Sequence, residues 1–178
     1  TQLTISTKTA AAGLTVEETP SGKVILAHPL PGSVIVLEST NNGASFITTA
    51  TNNATGPQAN PSLSYSQSGD GYLIWHSDTT PTVLYGSLKT NGAANWSTPV
   101  ELETSLDDPR FASVWARGTT PVAVWRADAD ARPAFENWNI RFLDWTNGAA
   151  PVTLPTTNCF DPSVFCFGDR TVAAWHSE

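Results

Sequence analysis

One short motif recurs at a fixed spacing along the chain, and it constrains the fold more than any other feature of the sequence. Tryptophan stands at positions 75, 125 and 175, a period of 50 residues, and each copy ends an apolar run. The next residue is His76, Arg126 or His176, and an acidic residue follows two positions later. A repeat of this length predicts structural units that pack mainly against their neighbours.

A degenerate copy of the motif, without the tryptophan, precedes these three. We align Ala27 with the tryptophan position, which places His28 in the position of His76. All three histidines of the protein then fall at the same position of the repeat, and Arg126 fills it in the remaining copy.

Within each period, runs rich in Val, Ile, Leu, Thr or aromatic residues alternate with turns rich in Gly, Pro and Asn. Such runs indicate successive antiparallel strands, and no run shows the 3.6-residue period of a helix. A four-stranded repeat of about 40–50 residues is typical of a β-propeller blade. The sequence therefore predicts an all-β fold, a β-propeller of four-stranded antiparallel blades with about three and a half blades in this chain.

The predicted boundaries follow the repeat. Residues 1–12 form an N-terminal closing strand, 13–56 blade 1, 57–105 blade 2, 106–156 blade 3 and 157–178 half of blade 4. We expect Pro61, Pro109 and Pro162 to open the first strands of blades 2, 3 and 4. We expect the repeated tryptophans to wedge between neighbouring blades, because large apolar side chains gain most from burial.

Composition excludes several classes of function. The formal net charge is -7 and no basic stripe exists, so we predict no nucleic-acid and no membrane partner.

The two cysteines, Cys159 and Cys166, are too far apart for a disulfide if a strand joins them. The triplets Asn53-Ala54-Thr55 and Asn95-Trp96-Ser97 match the glycosylation sequon, which favours a secreted or extracellular protein. No metal or cofactor motif is present, so we predict neither.

One turn carries a family resemblance. Residues 39–46, Ser-Thr-Asn-Asn-Gly-Ala-Ser-Phe, resemble the Asp-box (BNR repeat) of sialidase-superfamily propellers, with Asn41 in place of the aspartate. The later turns keep Asn-Gly, and one keeps a following Trp96. This resemblance extends from Leu14 to Glu178 and implies a lectin-like or glycosidase-like propeller. It says little about activity, because the Asp-box is a structural hairpin on the face opposite the active site.

Three and a half blades leave a ring open. An open blade exposes unpaired backbone groups and apolar surface, which favours association. We therefore predict a homodimer, or a second chain, that completes the ring, ahead of a small ring closed by this chain alone.

Blade topology brings the ends of the repeated motifs to one face of a propeller. The residues that we predict to bind a ligand there are His28, His76, Asp78, Arg110, Arg126, Asp128, His176 and Glu178. Cations, imidazoles and carboxylates next to aromatic surface suit the hydroxyls and ring faces of sugars. The alternative is that these side chains only pack the repeat or cap its turns.

The favoured function is a carbohydrate-binding protein, a lectin that binds glycans through repeated sites. One alternative is a glycoside hydrolase of sialidase-like fold, or one half of one, and another is a non-catalytic propeller that binds proteins. Only three tyrosines exist, all in one blade, and no spacing singles out a pair of carboxylates for acid–base hydrolysis. We therefore predict no catalytic residue.

Overall fold

The computed structural model describes residues 13–104, 108–128, 138–145, 150–156, 158–168 and 170–177. These residues form strands and turns without a helix, as the sequence predicts, and therefore include no helix able to cross a membrane. The strands are β1 (Thr15–Glu18), β2 (Val24–Ser39), β3 (Ile47–Tyr65), β4 (Gly71–Ser77), β5 (Val83–Lys89), β6 (Val100–Thr104), β7 (Arg110–Arg117), β8 (Thr120–Asp128), β9 (Trp138–Asp144), β10 (Val152–Thr153), β11 (Cys159–Phe167) and β12 (Arg170–Ser177).

The strands pair antiparallel into three sheets. The first has the order β1-β2-β3-β4-β5-β6, the second β10-β9-β8-β7 and the third β11-β12. The long strand β3 joins two repeats, because its first part pairs with β2 and its second part with β4. The sheets do not close on one another within the described residues, and the predicted closing strand lies outside them.

Strand β2 includes the segment 29–32, Pro-Leu-Pro-Gly, although proline and glycine are typical of turns. The ammonium of Lys23, just before β2, lies 2.7 Å from the carboxylate of Glu38 near its end. A straight strand of this length would hold these residues roughly 50 Å apart. Strand β2 therefore folds back on itself and supplies the two middle strands of repeat 1.

The turn with the family resemblance is held by side-chain hydrogen bonds. Ser45 N donates to Asn41 Oδ1 at 2.9 Å, and Gly43 N donates to Ser39 Oγ at 2.9 Å. The amide oxygen of Asn41 thus accepts a bond that a carboxylate oxygen could also accept. Its assignment as an Asp-box stays a prediction.

The first strand of each later repeat carries a β-bulge opposite the tryptophan. Pairing shifts register between Ala59 and Ser62 in β3, between Arg110 and Ser113 in β7, and between Phe160 and Ser163 in β11. The bulge contains Pro61 in β3 and Pro162 in β11, but Ala112 takes that position in β7. Pro109 directly precedes β7, as predicted, but Pro61 and Pro162 lie inside β3 and β11 and not at their starts, so the three prolines are not equivalent.

The register also corrects the position of His28. Lys23 N donates to Thr19 Oγ1 at 3.1 Å, and in repeat 2 Asp70 N donates to Ser66 Oγ at 3.0 Å. These turns are equivalent, and both His28 and Trp75 follow five residues after the turn. His28 therefore occupies the position of the tryptophan rather than that of His76, and the predicted alignment was wrong by one residue. A shift of one residue turns every side chain of a strand to the other face.

Three apolar clusters lie between successive repeats. Ile25 and Ala27 of repeat 1 pack with Trp75, Tyr72 and Ile74 of repeat 2 pack with Trp125, and Val122 and Val124 of repeat 3 pack with Val164. Trp75 and Trp125 are 0% exposed, so the prediction that they wedge between repeats is confirmed. Trp175 is 39% exposed.

Serine hydroxyls link the first strands of successive repeats. Val114 N donates to Ser62 Oγ at 3.1 Å, and the equivalent Val164 N donates to Ser113 Oγ at 3.2 Å. The same bond therefore joins repeat 2 to 3 and repeat 3 to 4. We call the surface of each repeat that receives the next one its forward face.

The two thiols are not bonded, in agreement with the spacing argument. Cys159 is buried between repeats 3 and 4, and Cys166 is half-buried. Both lie in β11, so the strand holds them apart.

Candidate functional site

Polar and aromatic side chains gather at one edge of repeats 2, 3 and 4. His76 and Arg126 lie near the ends of β4 and β8, while Arg110 and Phe160 lie near the starts of β7 and β11. Because neighbouring strands run antiparallel, the end of one lies beside the start of the next. We call this group, with Asp78, Asp108, Phe111, Trp138 and His176, the Arg126 site.

Arg126 lies at its centre, surrounded by aromatic rings. Its guanidinium carbon is 3.9 Å from the ring centroid of Trp138, 4.8 Å from that of Phe111 and 5.6 Å from that of Phe160. Such cation–π contacts hold the guanidinium without using its N–H groups. Among the described residues the side chain of Arg126 accordingly makes no hydrogen bond, and its buried Nε has no partner. Burial, and then the positive charge of Arg110, lowers the pKa of Arg126.

Arg110 differs because its guanidinium donates hydrogen bonds to two carboxylates. Its Nε lies 2.8 Å from both carboxylate oxygens of Asp108, and its Nη1 donates to Asp78 Oδ1 at 3.0 Å. Asp108 also accepts a hydrogen bond from the hydroxyl of Thr82. This network ties β7 to the loop after β4, and it leaves Asp78 and Asp108 bound to a cation.

His76 is buried beside this network. Only 1% of its surface is exposed, and burial lowers its pKa to about 4. Its imidazole is therefore neutral at neutral pH, and the 3.6 Å contact from Nε2 to Asp78 is not an ion pair. Nδ1 is buried without a hydrogen-bond partner among the described residues. The ring packs 6.2 Å from that of Phe111.

Phe111 joins His76 to Arg126 and has an unusual backbone. It lies in the left-handed region, with φ of 52°, and 37% of its surface is exposed. The equivalent residues in repeats 2 and 4 are Asn60 and Asp161, whose residue types tolerate this conformation. A phenylalanine there stores strain, and strain of this kind concentrates at functional sites.

The remaining four predicted residues have different outcomes. The exposed His176 joins the site, because its ring stacks on Phe160 at 5.4 Å. Asp128 is 7% exposed and pairs with Trp138 in the β8–β9 ladder. His28 lies in repeat 1, outside the site, where burial lowers its pKa. Glu178 lies outside the described residues.

The sequence did not identify Phe111 and Phe160 as site residues. Both resemble ordinary strand residues, and nothing in the sequence marks the left-handed backbone at Phe111. The one available signal is the equivalence of the bulges, which aligns Phe111 with Asn60 and Asp161 once Pro109 is set aside.

No family model and no curated protein matches the sequence. Solved structures do match in shape. A fucose lectin from Kordia zhangzhouensis in complex with methyl-fucoside is 14% identical with a TM-score of 0.50, and the match covers 82% of this chain and 99% of the lectin.

Two enzymes match over part of their length. An endo-1,4-beta-xylanase from Bacteroides thetaiotaomicron is 14% identical with a TM-score of 0.55, and the match covers 87% of this chain and 63% of the xylanase. A mutant Trypanosoma rangeli sialidase displaying trans-sialidase activity is 11% identical with a TM-score of 0.55, over 93% of this chain and 34% of the sialidase. This chain thus spans less than two thirds of either enzyme. The fold is similar to sialidase-like and glycosidase-like β proteins, a group that includes both sugar-binding and sugar-cleaving members.

Proposed function

We propose that this chain is a carbohydrate-binding protein, a lectin, that binds glycans at the Arg126 site. The observation that supports this most is the state of Arg126. A guanidinium has five N–H donors, and buried donors without partners cost free energy. Aromatic contacts fix the group in position, and no described residue accepts a hydrogen bond from it, so its donors can bind oxygen atoms of a ligand.

A sugar supplies what this site lacks. Its hydroxyl oxygens can accept from Arg126, and its C–H faces can pack on the exposed parts of Phe111 and His176. Binding then replaces water on a preformed surface, with little ordering of side chains to oppose it.

Glycoside hydrolysis is the second candidate, favoured by the carboxylates of Asp78 and Asp108 and by the similarity in fold to two glycosidases. Both carboxylates already accept hydrogen bonds from Arg110, so each has an oxygen that is not free to face a substrate. The lectin proposal therefore stands ahead of the enzyme.

A glycan array probed with the labelled chain tests the proposal, together with an assay of aryl glycosides. Binding to at least one glycan class, lost in Arg126→Gln and kept in Arg170→Gln, is the expected result. Arg170 begins β12 at the opposite end of the sheet, so it controls for loss of positive charge. A blank array would contradict the lectin, and turnover of an aryl glycoside would favour the hydrolase.

We further propose that the repeats are blades of a β-propeller, with boundaries as predicted, and that a second copy of this chain completes the ring. The chain offers both halves of such an interface. On the forward face of repeat 4, Phe165 and Val172 are 44% and 41% exposed, and the hydroxyl of Ser163 continues the serine series. At the other end, Val16 is 56% exposed, whereas Val114, its equivalent, is 3% exposed.

A cysteine pair tests this interface. In a Cys159→Ala, Cys166→Ala background, Val16→Cys and Ser163→Cys should form a disulfide between two copies, seen as a doubled mass under oxidising conditions. An Ile47→Cys, Ser163→Cys pair is the control, because Ile47 is also exposed but lies on a different strand. The native mass of a monomer, or equal cross-linking of the control, would contradict the proposal that a second copy completes the ring.

A further inference from the structure

A cleft opens at the end of the sheets opposite the Arg126 site. It has a volume of about 580 Å³ and lies between repeats 1 and 2. Three turns form its rim, at 19–21, 67–69 and 90–93, and Glu38, Tyr65 and Lys89 line its interior. Since β4 separates the two ends, the cleft is about 20 Å from the Arg126 site. Its volume is in the range of small-molecule sites.

Two lysines share one largely buried carboxylate inside the cleft. Glu38, with a side chain only 11% exposed, has one oxygen 2.7 Å from the ammonium of Lys23. Its other oxygen is 3.9 Å from the ammonium of Lys89, which is too long for a hydrogen bond. A second carboxylate, that of Asp70, lies at the rim, where it accepts hydrogen bonds from Asn91 N at 2.8 Å and from Ser68 Oγ at 2.7 Å.

Lys89 is the group without a full set of partners. Its side chain is only 16% exposed, and among the described residues its ammonium makes no hydrogen bond. A partly buried ammonium with three donors and one distant carboxylate favours a further anion.

The rest of the lining is suited to hydroxyl groups. Burial, and then the charge of Glu38, raises the pKa of Tyr65, so its phenol stays protonated and can donate or accept. The rim adds the hydroxyls and amides of Ser21, Gln67, Ser68, Thr90 and Asn91. These groups bind polyols well and apolar molecules poorly.

We propose that this cleft binds a small polyol with one anionic group, a sugar acid or a sugar phosphate, with the anion on Lys89 and the hydroxyls on the rim. A neutral sugar would leave the ammonium of Lys89 with only the distant carboxylate of Glu38. This site is separate from the Arg126 site, and the two proposals can fail independently.

Calorimetric titration of the wild-type chain with glucuronate, glucose 6-phosphate, glucose, acetate and inorganic phosphate tests the proposal. Binding of glucuronate, glucose 6-phosphate or both, with at least tenfold weaker binding of glucose and of the two plain anions, is expected. The acid that binds identifies the source of the anionic group. Equal binding of acetate or phosphate would reduce the cleft to a plain anion site, and no binding of either sugar acid would overturn the proposal.

Two substitutions with opposite expected effects separate binding from structure. Lys89→Gln should weaken binding at least about tenfold, because a hydrogen bond to a charged group is lost. Glu38→Gln should tighten it, because the competing negative charge is removed. Arg126→Gln should leave this affinity unchanged. Unchanged affinity in Lys89→Gln, or weaker binding in Glu38→Gln with an unchanged unfolding transition, would contradict the assignment.

Discussion

The strained backbone at Phe111 predicts that glycine is more stable than alanine there, whereas the opposite order holds at an ordinary strand position. Phe111→Gly and Phe111→Ala both remove the ring and its contacts with His76 and Arg126. They differ only in the backbone that remains. Glycine adopts the left-handed region readily, whereas alanine there costs about 1–2 kcal/mol. At φ of 52° the glycine variant should therefore be more stable than the alanine variant by about 1 kcal/mol, after the greater loss of chain entropy for glycine is subtracted.

Phe165 supplies the matched control. It is similarly exposed, at 44%, and lies in the regular β11–β12 ladder opposite Val172. In such a strand, glycine is less stable than alanine by about 0.5–1 kcal/mol. The order of the two variants should therefore reverse between positions 111 and 165.

Urea denaturation measures both differences. The slope should stay the same, so that midpoints report stability directly. Both Phe111 variants should also lose glycan binding, because the exposed ring face is gone. An alanine variant as stable as glycine at position 111 would refute the strain, and full glycan binding by either variant would refute the role of the ring.

Three further predictions follow from packing and charge. Trp75→Ala should lower the free energy of unfolding by about 3–5 kcal/mol, measured by denaturation. Trp175→Ala should lower it clearly less, because 39% of that residue is exposed. Equal losses would contradict the claim that Trp75 is the more tightly packed residue. Ser113→Ala should cost about 1–3 kcal/mol, because it leaves Val164 N without a partner; an unchanged free energy of unfolding would refute the role of this hydrogen bond. Burial lowers the pKa of His76 to about 4, below its ordinary value near 6.5, so the unfolded chain binds this proton first as the pH falls. Stability should fall between pH 6.5 and 4 by up to about 1.4 kcal/mol per unit more in wild type than in His76→Gln, and parallel profiles would count against the buried neutral imidazole.

The strands and their order were predictable because turn residues and apolar runs are local signals. The grouping of His76, Arg110 and Arg126 at one edge was also predictable, since the repeat fixes where strands end. The register of the strands was not predictable, because an alternating apolar pattern looks similar after a shift of one residue. His28 was placed wrongly for this reason, although the shared turn at 19–23 and 66–70 contained the correct alignment.

The chemistry of the site depended on features that only coordinates show. Pro109 directly precedes β7, but the bulge that shapes the site begins two residues later, at Phe111. The sequence also could not show which arginine side chain makes no hydrogen bond among the described residues. Arg110 and Arg126 are the same residue type at similar places, and only the geometry separates the paired guanidinium from the one held by aromatic rings.

The central claim is that Arg126 is held in position to bind a glycan. The most direct measurement is the dissociation constant of the best array glycan, by calorimetry, for the wild-type chain, Arg126→Gln and Arg170→Gln. The account predicts at least tenfold weaker binding for Arg126→Gln, since a hydrogen bond to a charged group contributes about 1.5–3 kcal/mol, with Arg170→Gln unchanged. Equal affinities for all three proteins would contradict it.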